Sequence, residues 1–148
     1  MPERYPFAVA EDPDDLSSLE MWDPGVYRDL LACRAGRLSE TAFLEKHQYR
    51  VAILGLDMTG FTHASIADGD VESVLRILNV HTVCLPIFRE FGARQARAFA
   101  DDLYGTFEEP GQALACAMEI HRRIAHFNAQ QAAGTNPCQG CIGLGFGP

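Results

Sequence analysis

RVAILGLDMTGFT, residues 50–62, joins a run of apolar side chains to an aspartate and then to a loop of small residues. Residues 50–57 are a short apolar run rich in branched side chains, which predicts a β-strand. The run is apolar on both faces, so the strand is expected to lie in the interior of a sheet. Asp57 would end it, and the backbone N–H groups that follow, at a helix start, are suited to hold phosphate oxygens.

The rest of this region alternates between helical and strand patterns. Apolar residues near helical spacing predict a long helix that Pro86 interrupts. Two short strands around an Asp-Asp turn predict a hairpin. The order β-α-β-β-α-β predicts an α+β ferredoxin-like sandwich with an antiparallel sheet of strand order 4-1-3-2. The predicted elements are strand 50–57, helix 70–91, strands 93–100 and 103–107, a helix from Pro110, and strand 141–148.

This strand order brings acidic residues together. The end of the first strand should lie beside the start of the third, so Asp57 should approach the turn residues Asp101 and Asp102. Paired carboxylates beside free N–H groups suit Mg²⁺ or Mn²⁺ and a polyphosphate. An equally good interpretation from spacing alone is that Asp57 caps the next helix and the other two are ordinary turn residues.

The segment before the first strand predicts a separate extension, residues 1–48, ahead of a domain over residues 49–148. Residues 1–25 are rich in Pro and Asp without a period, which predicts a flexible or extended lead-in. YRDLLACRAG and SETAFLEKHQ predict two short helices, with Ser39 as the N-cap of the second.

Composition excludes several classes of protein. The net charge of −8 argues against a nucleic-acid partner, and Lys46 is the only lysine, so a phosphate-binding P-loop is absent. No apolar run reaches the length of a membrane span and the N-terminus lacks a signal-peptide pattern, so a cytoplasmic protein is expected. The five cysteines include one C-x-x-C, Cys138 to Cys141, which is interpreted as two ordinary thiols rather than a metal or redox site.

Four stretches of the chain, within residues 50–148, resemble class III adenylate and guanylate cyclases. VAILGLDMTGFT resembles their opening motif, and FGARQARAFADDLYGTF resembles their second motif, with a strand, an aspartate and a further strand ending in Phe. EEPGQALACAMEIHRRI is similar to their next helix, and CIGLGFG to the strand after it. The resemblance implies the fold, metal-dependent chemistry on ATP or GTP, and a homodimer.

The resemblance also implies site residues. Asp57 and Asp101 would bind two Mg²⁺ or Mn²⁺ ions, together with the carbonyl oxygen of Met58. Asp102 stands where the family often has a small residue and is given no ligand role. Arg97 occupies the base-selecting position at which many adenylate cyclases have Lys, and this leaves the choice of purine open. The implied phosphate donors are the N–H groups of Thr59, Gly60, Phe61 and Thr62.

The implied reaction is attack of the ribose 3′-oxygen on the α-phosphorus of ATP or GTP, giving the 3′,5′-cyclic monophosphate and pyrophosphate. The resemblance ends before the family's transition-state Asn and Arg, which predicts little or no activity for these 148 residues alone. The alternative is a catalytically dead, nucleotide-binding regulatory module. An RNA-recognition motif has the same strand order, and Tyr104 and Phe107 would be its stacking residues, but the net charge disfavours it. The Gly-Gly-Asp-Glu-Phe turn of diguanylate cyclases is absent.

Overall fold

Five helices and four strands form the part of the chain that the computed structural model describes, residues 6–59 and 69–148. The chain divides into two compact units, one ending at Tyr49 and the other beginning at Arg50. Among the described residues, the first unit contains helices and no strand, whereas the second contains the four strands and the two long helices. The elements are α1 (Pro13–Ser17), α2 (Pro24–Arg34), α3 (Glu40–His47), β1 (Val51–Met58), α4 (Asp70–Glu90), β2 (Gln95–Phe99), β3 (Asp102–Phe107), α5 (Pro110–Ala129) and β4 (Gly140–Gly147).

The four strands form one sheet in the order β2-β3-β1-β4. Every neighbouring pair is antiparallel. This confirms the predicted α+β class and the order 4-1-3-2. The apolar run of β1 occupies an interior position in the sheet because it can bury side chains beneath the helices while pairing on both edges.

The core lies between the sheet and the helices α4 and α5. Side chains at alternate positions of β1 are buried, and their neighbours on the other face are not. Phe107 of β3 is fully buried and packs against Phe88 of α4, with ring centroids 6.2 Å apart. Gly105 leaves room for this pair, since a Cβ at that position would lie 2.7 Å from the Phe88 ring. The Phe88–Phe107 contact therefore joins a core helix to an interior strand.

The two long helices are also joined at the surface. Arg123 of α5 forms ion pairs with Glu119 of its own helix and with Glu90 at the end of α4. The glutamates keep the pKa of Arg123 above its ordinary value, Glu90 contributing most. By length and composition alone, α4 could cross a membrane, but a core helix of a soluble protein passes the same test. Four of its buried residues belong to the hydrophobic core: Val80, Cys84, Ile87 and Phe88.

The hairpin between β2 and β3 differs from the prediction by one residue. Asp102 is the first residue of β3, and the turn consists of Ala100 and Asp101. Ala100 has a φ of 52°, in the left-handed region that favours glycine. The turn contains no glycine or asparagine, the residues typical of a two-residue hairpin turn, so the sequence pattern favours the Asp-Asp pair instead.

Replacing Ala100 with glycine is expected to stabilise the protein by up to about 1.6 kcal/mol. The change removes a Cβ that costs about 1–2 kcal/mol in this conformation, against about 0.4–1 kcal/mol for the greater freedom of glycine in the unfolded chain. The urea midpoint should rise for Ala100→Gly. The matched variant Ala98→Gly, within β2, should lower it by about 0.5–1 kcal/mol of stability. A lower midpoint for Ala100→Gly would contradict a strained turn.

The N-terminal unit is more ordered than its sequence suggested. Residues 13–17 form α1 where an irregular lead-in was expected, because the Asp12 side chain accepts hydrogen bonds from the N–H groups of Asp14 and Asp15, 2.8 and 3.3 Å away. Pro13 occupies the first turn, where its missing N–H costs nothing. The Ser39 hydroxyl caps α3 by accepting from the Ala42 N–H, 3.1 Å away, as predicted.

Asp29 of α2 holds α3 in place within this unit. Its Oδ2 lies 2.6 Å from Lys46 Nζ and 2.7 Å from His47 Nε2. The hydrogen bond from Lys46, followed by that from His47, lowers the pKa of Asp29 below its ordinary value. The carboxylate is thus the shared partner of two side chains at the C-terminal end of α3.

The five cysteines fall into two groups. Cys84, Cys116 and Cys138 are buried in the core, while Cys33 is partly exposed and Cys141 is exposed. Burial raises the pKa of the Cys84 thiol to about 12 and that of Cys116 to about 11. In the C-x-x-C pair, therefore, one thiol lies in the core and the other on the surface.

Candidate functional site

The face of the sheet opposite the helices carries the candidate site. Along β1 the residues Ala52, Leu54, Leu56 and Met58 are buried against the helices, so the alternate residues face outward. Directly paired residues on neighbouring antiparallel strands share a face. The outward residues in the described strands are Gln95, Arg97 and Phe99 of β2, Asp102, Tyr104 and Thr106 of β3, Val51, Ile53, Gly55 and Asp57 of β1, and Cys141, Gly143, Gly145 and Gly147 of β4.

Asp57 and Asp102 are direct neighbours on this face. They are paired across β1 and β3, and Cys141 is paired with Asp57 on its other side, across β4. Asp57 is exposed and Asp102 is half-buried. Like charges placed directly opposite each other in a sheet are destabilising, and a bound cation would remove that cost. The predicted approach of the end of β1 to the start of β3 is confirmed.

The Tyr104 side chain lies close to the negative charge of Asp57 and Asp102. Its hydroxyl donates to Asp102 Oδ2 at 3.3 Å. The pKa of Tyr104 is raised, chiefly by the charge of Asp102, then by burial, and also by the charge of Asp57. Its ring lies over Gly55, where a Cβ would be only 3.3 Å from the ring. Tyr104 is thus held by the carboxylate on one side and by the bare backbone of β1 on the other.

Asp101 and Met58 occupy different surroundings from this pair. Asp101 is half-buried in the turn next to Asp102. The side chain of Met58 is in the core, 6% exposed, at the last position of β1. The roles predicted for Asp101 and for the Met58 carbonyl stay predictions. Asp102 has no predicted ligand role, yet it is the residue that lies beside Asp57. The alternation of faces along a strand puts residues 102 and 104 on the same side, and this pattern is the sequence signal that identifies Asp102.

The predicted phosphate loop begins at the end of β1. The N–H of Thr59 donates to the carbonyl oxygen of Gln139, 2.9 Å away. This donor is therefore already engaged, and a phosphate would have to replace that carbonyl. The other three predicted donors, in Gly60, Phe61 and Thr62, lie outside the described residues.

The outward face also tests the RNA-binding alternative. Tyr104 is 44% exposed, but Phe107 is fully buried in the core. Only one of the two proposed stacking residues therefore reaches the surface, because positions 104 and 107 of a strand point to opposite faces. The alternative interpretation, in which Tyr104 and Phe107 of β3 both stack on RNA bases, is therefore wrong.

No three His, Cys, Asp or Glu side chains within residues 6–59 and 69–148 form a group arranged to hold a metal. Two neighbouring carboxylates are nevertheless a suitable partial donor set for a hard cation, which commonly completes its shell with water, carbonyl oxygens and substrate phosphates. The donor chemistry at Asp57 and Asp102 thus fits Mg²⁺ or Mn²⁺.

No protein-family model matches the sequence. No curated protein matches it either. Similarity is found in three dimensions, to solved structures of nucleotide cyclases.

Three such structures illustrate it. A bacterial light-regulated adenylyl cyclase is 18% identical with a TM-score of 0.62, covering 66% of this chain and 53% of its own. The guanylyl cyclase Cya2 is 24% identical with a TM-score of 0.58, over 67% of this chain and 54% of its own. The guanylyl cyclase domain of the RhoGC fusion protein from the aquatic fungus Blastocladiella emersonii is 18% identical with a TM-score of 0.57, over 66% and 57%.

These similarities establish the fold. The chain has the α+β fold of adenylyl and guanylyl cyclase catalytic domains, as its motifs predicted. It spans a little over half the length of the structures it matches.

Proposed function

We propose that residues 50–148 belong to a purine nucleotide cyclase domain, which converts ATP or GTP to the 3′,5′-cyclic monophosphate and pyrophosphate. One observation carries the proposal: Asp57 and Asp102 are neighbours on the outward face of a sheet whose fold is found in nucleotide cyclases. Two carboxylates placed directly opposite each other in a sheet are better explained by a bound cation than by sheet stability.

Asp57 and Asp102 are the proposed ligands of the metal ions, Mg²⁺ or Mn²⁺, with two ions per site as in the resemblance. Asp101 and the carbonyl oxygen of Met58, which the resemblance implied as ligands, are proposed as further donors at this end of the sheet. Such ions, when bound, supply activation of the attacking oxygen and neutralise charge on the phosphates. The donor set is hard oxygen throughout, which favours these ions over softer metals.

The chain's own residues position the reactants. The Tyr104 hydroxyl donates to Asp102 and so restricts the orientation of that carboxylate. The N–H groups of residues 59–62 are proposed to hold the β- and γ-phosphates, with Thr59 giving up its bond to Gln139. Holding the nucleotide in a reactive geometry is the main contribution a protein makes to phosphoryl transfer of this kind. A homodimer is proposed to complete the site.

Calorimetric titration of ATP and GTP into the chain, with Mn²⁺ and again with a chelator, tests this function. Binding that requires Mn²⁺ supports the site, and formation of cyclic nucleotide in the same sample supports the reaction. Metal-dependent binding without product is the expected result for these 148 residues alone, under either the enzyme or the regulatory module. Absence of binding at millimolar nucleotide would contradict the proposed site.

A further inference from the structure

β4 lies at an edge of the sheet and, among the described residues, has a neighbouring strand on one side only. Its eight residues, Gly140–Gly147, pair with β1 in an unbroken register without a bulge. None of the eight is charged and none is proline. The backbone N–H and C=O groups that point away from β1 therefore form a long, regular row with which another strand can pair.

The opposite edge of the sheet differs from this one in both length and charge. β2 is five residues long and has Arg97 at its centre. Short length and charged side chains are features by which natural proteins keep an edge strand from pairing with other chains. β4 has neither feature, so the sheet is protected at one edge and open to pairing at the other.

The side chains of β4 continue the apolar side of the sheet past the helices. Leu144 is paired with Leu54, and Phe146 with Ala52. Directly paired residues share a face, so these side chains lie on the helix side. The two β1 residues are buried, whereas Leu144 is 46% exposed and Phe146 is 50% exposed. The Arg50 guanidinium lies over the Phe146 ring, 4.9 Å from its centroid. The described helices therefore leave part of this strip uncovered.

The geometry points to β4 as the interface of a symmetric dimer, in which β4 of one copy pairs antiparallel with β4 of a second copy. The two-fold axis would pass through the pair formed by Leu144 and its own counterpart. In this register apolar residues face apolar residues on one side of the sheet, and small residues face small residues on the other. The facing pairs are Leu144 with Leu144, Ile142 with Phe146, Gly143 with Gly145, and Cys141 with Gly147.

The sequence of β4 favours a second copy as the partner and also fixes the register. Moving the axis by one residue would leave Phe146 opposite Gly140, or Ile142 opposite Pro148. Only the axis at Leu144 pairs all three apolar side chains with one another. The strand is also uncharged, so two copies of a chain with a net charge of −8 would meet there without like charges opposite each other.

Pairing through β4 alone stops at two copies, because each copy offers one open edge and the two-fold contact uses both. The axis is perpendicular to the sheet, so the helices of both copies lie on one face and Asp57 of both copies lies on the other. With about 4.8 Å between strands and about 3.3 Å per residue, the two Asp57 Cα atoms would be about 25 Å apart. The interface is therefore separate from the carboxylates and goes beyond the proposed function.

Sedimentation equilibrium of the full chain, with a chelator and without nucleotide, tests this interface. The unmodified chain is expected to form a dimer with twice the 16.3 kDa mass of one copy. Leu144→Lys places like charges opposite each other at the axis and should raise the dissociation constant of the dimer about tenfold or more. Leu114→Lys, the same change at a 52% exposed position of α5, is the control and should leave the constant unchanged.

A mixture of two variants tests the register. Leu144→Glu alone should weaken the dimer as Leu144→Lys does. An equal mixture of the two variants should dimerise again, because opposite charges then face each other across the axis. Circular dichroism of each variant checks that the sheet is intact.

A monomeric unmodified chain would overturn the interface. A dimer that Leu144→Lys leaves intact would overturn it as well, since another surface would then hold the copies together. Weakened dimers that do not recover on mixing would overturn the pairing about Leu144. Each of these results leaves the proposed function in place, because titration of nucleotide with Mn²⁺ tests that function separately.

Discussion

Asp57→Asn is expected to lower the affinity for Mn²⁺-bound nucleotide by about 100-fold or more. Outer partners of metal ligands are commonly worth 10–100-fold in affinity, and a direct ligand should exceed them. Asp102→Asn should produce a loss of similar size, since the two carboxylates are paired across β1 and β3. Calorimetry with Mn²⁺ and GTP, or the electron paramagnetic resonance signal of free Mn²⁺, measures the change.

The same variants should not destabilise the fold. Each removes a repulsion between carboxylates opposite each other, worth about 0.2–1 kcal/mol. The urea midpoint of Asp57→Asn should therefore stay level or rise while its affinity falls, a pattern that a simple folding defect cannot give. Glu45→Gln, an equal change of charge at an exposed position of α3, is the control and should alter neither property. Unchanged affinity in both Asp57→Asn and Asp102→Asn would remove the basis for the metal site.

The second large effect is expected at Phe107. Phe107→Ala should lower the free energy of unfolding by about 3–5 kcal/mol, because the truncation leaves a cavity against Phe88 as well as removing buried apolar area. Domains are commonly stable by only about 5–15 kcal/mol. The variant should therefore unfold at a much lower urea concentration, followed by circular dichroism at 222 nm.

The matched variant is Phe99→Ala. Phe99 is 77% exposed on β2, whereas Phe107 is fully buried. The same chemical change at this exposed position should cost no more than about 0.5 kcal/mol. Similar losses at both positions would mean that the core does not lie where the Phe88–Phe107 contact places it.

The fold could be predicted because its decisive signals are local. The apolar run of β1 and the helical spacing of 70–91 each identify an element without knowledge of the others, and the right-handed crossover rule then fixes the strand order. The start of α1 also has a local signal, the N-cap Asp12 followed by Pro13. Its five residues, however, are too few to show a helical hydrophobic period. The helix α1 is missing from the prediction because it is short, although its capping residues are typical.

The site was less predictable because it depends on register and on contacts between distant residues. A shift of one residue at the β2–β3 turn decides whether Asp101 or Asp102 faces Asp57. Alanine is not a typical residue for the left-handed conformation of Ala100, so the sequence does not predict that the turn lies at this position. The Thr59–Gln139 hydrogen bond and the position of the Tyr104 ring over Gly55 likewise join segments that no local pattern connects.

Because some cysteine thiols are buried and others lie at the surface, the surface thiols can be labelled selectively. Maleimides react with the thiolate, so Cys84 and Cys116, with pKa values of about 12 and 11, should stay unmodified at neutral pH in the folded chain. The thiols that maleimides can reach are those of Cys141, which is exposed, and Cys33, which is partly exposed. In a Cys33→Ser background, a fluorophore would attach one strand away from Asp57. The native sequence thus provides a spectroscopic reporter beside the carboxylates, with no residue added near them.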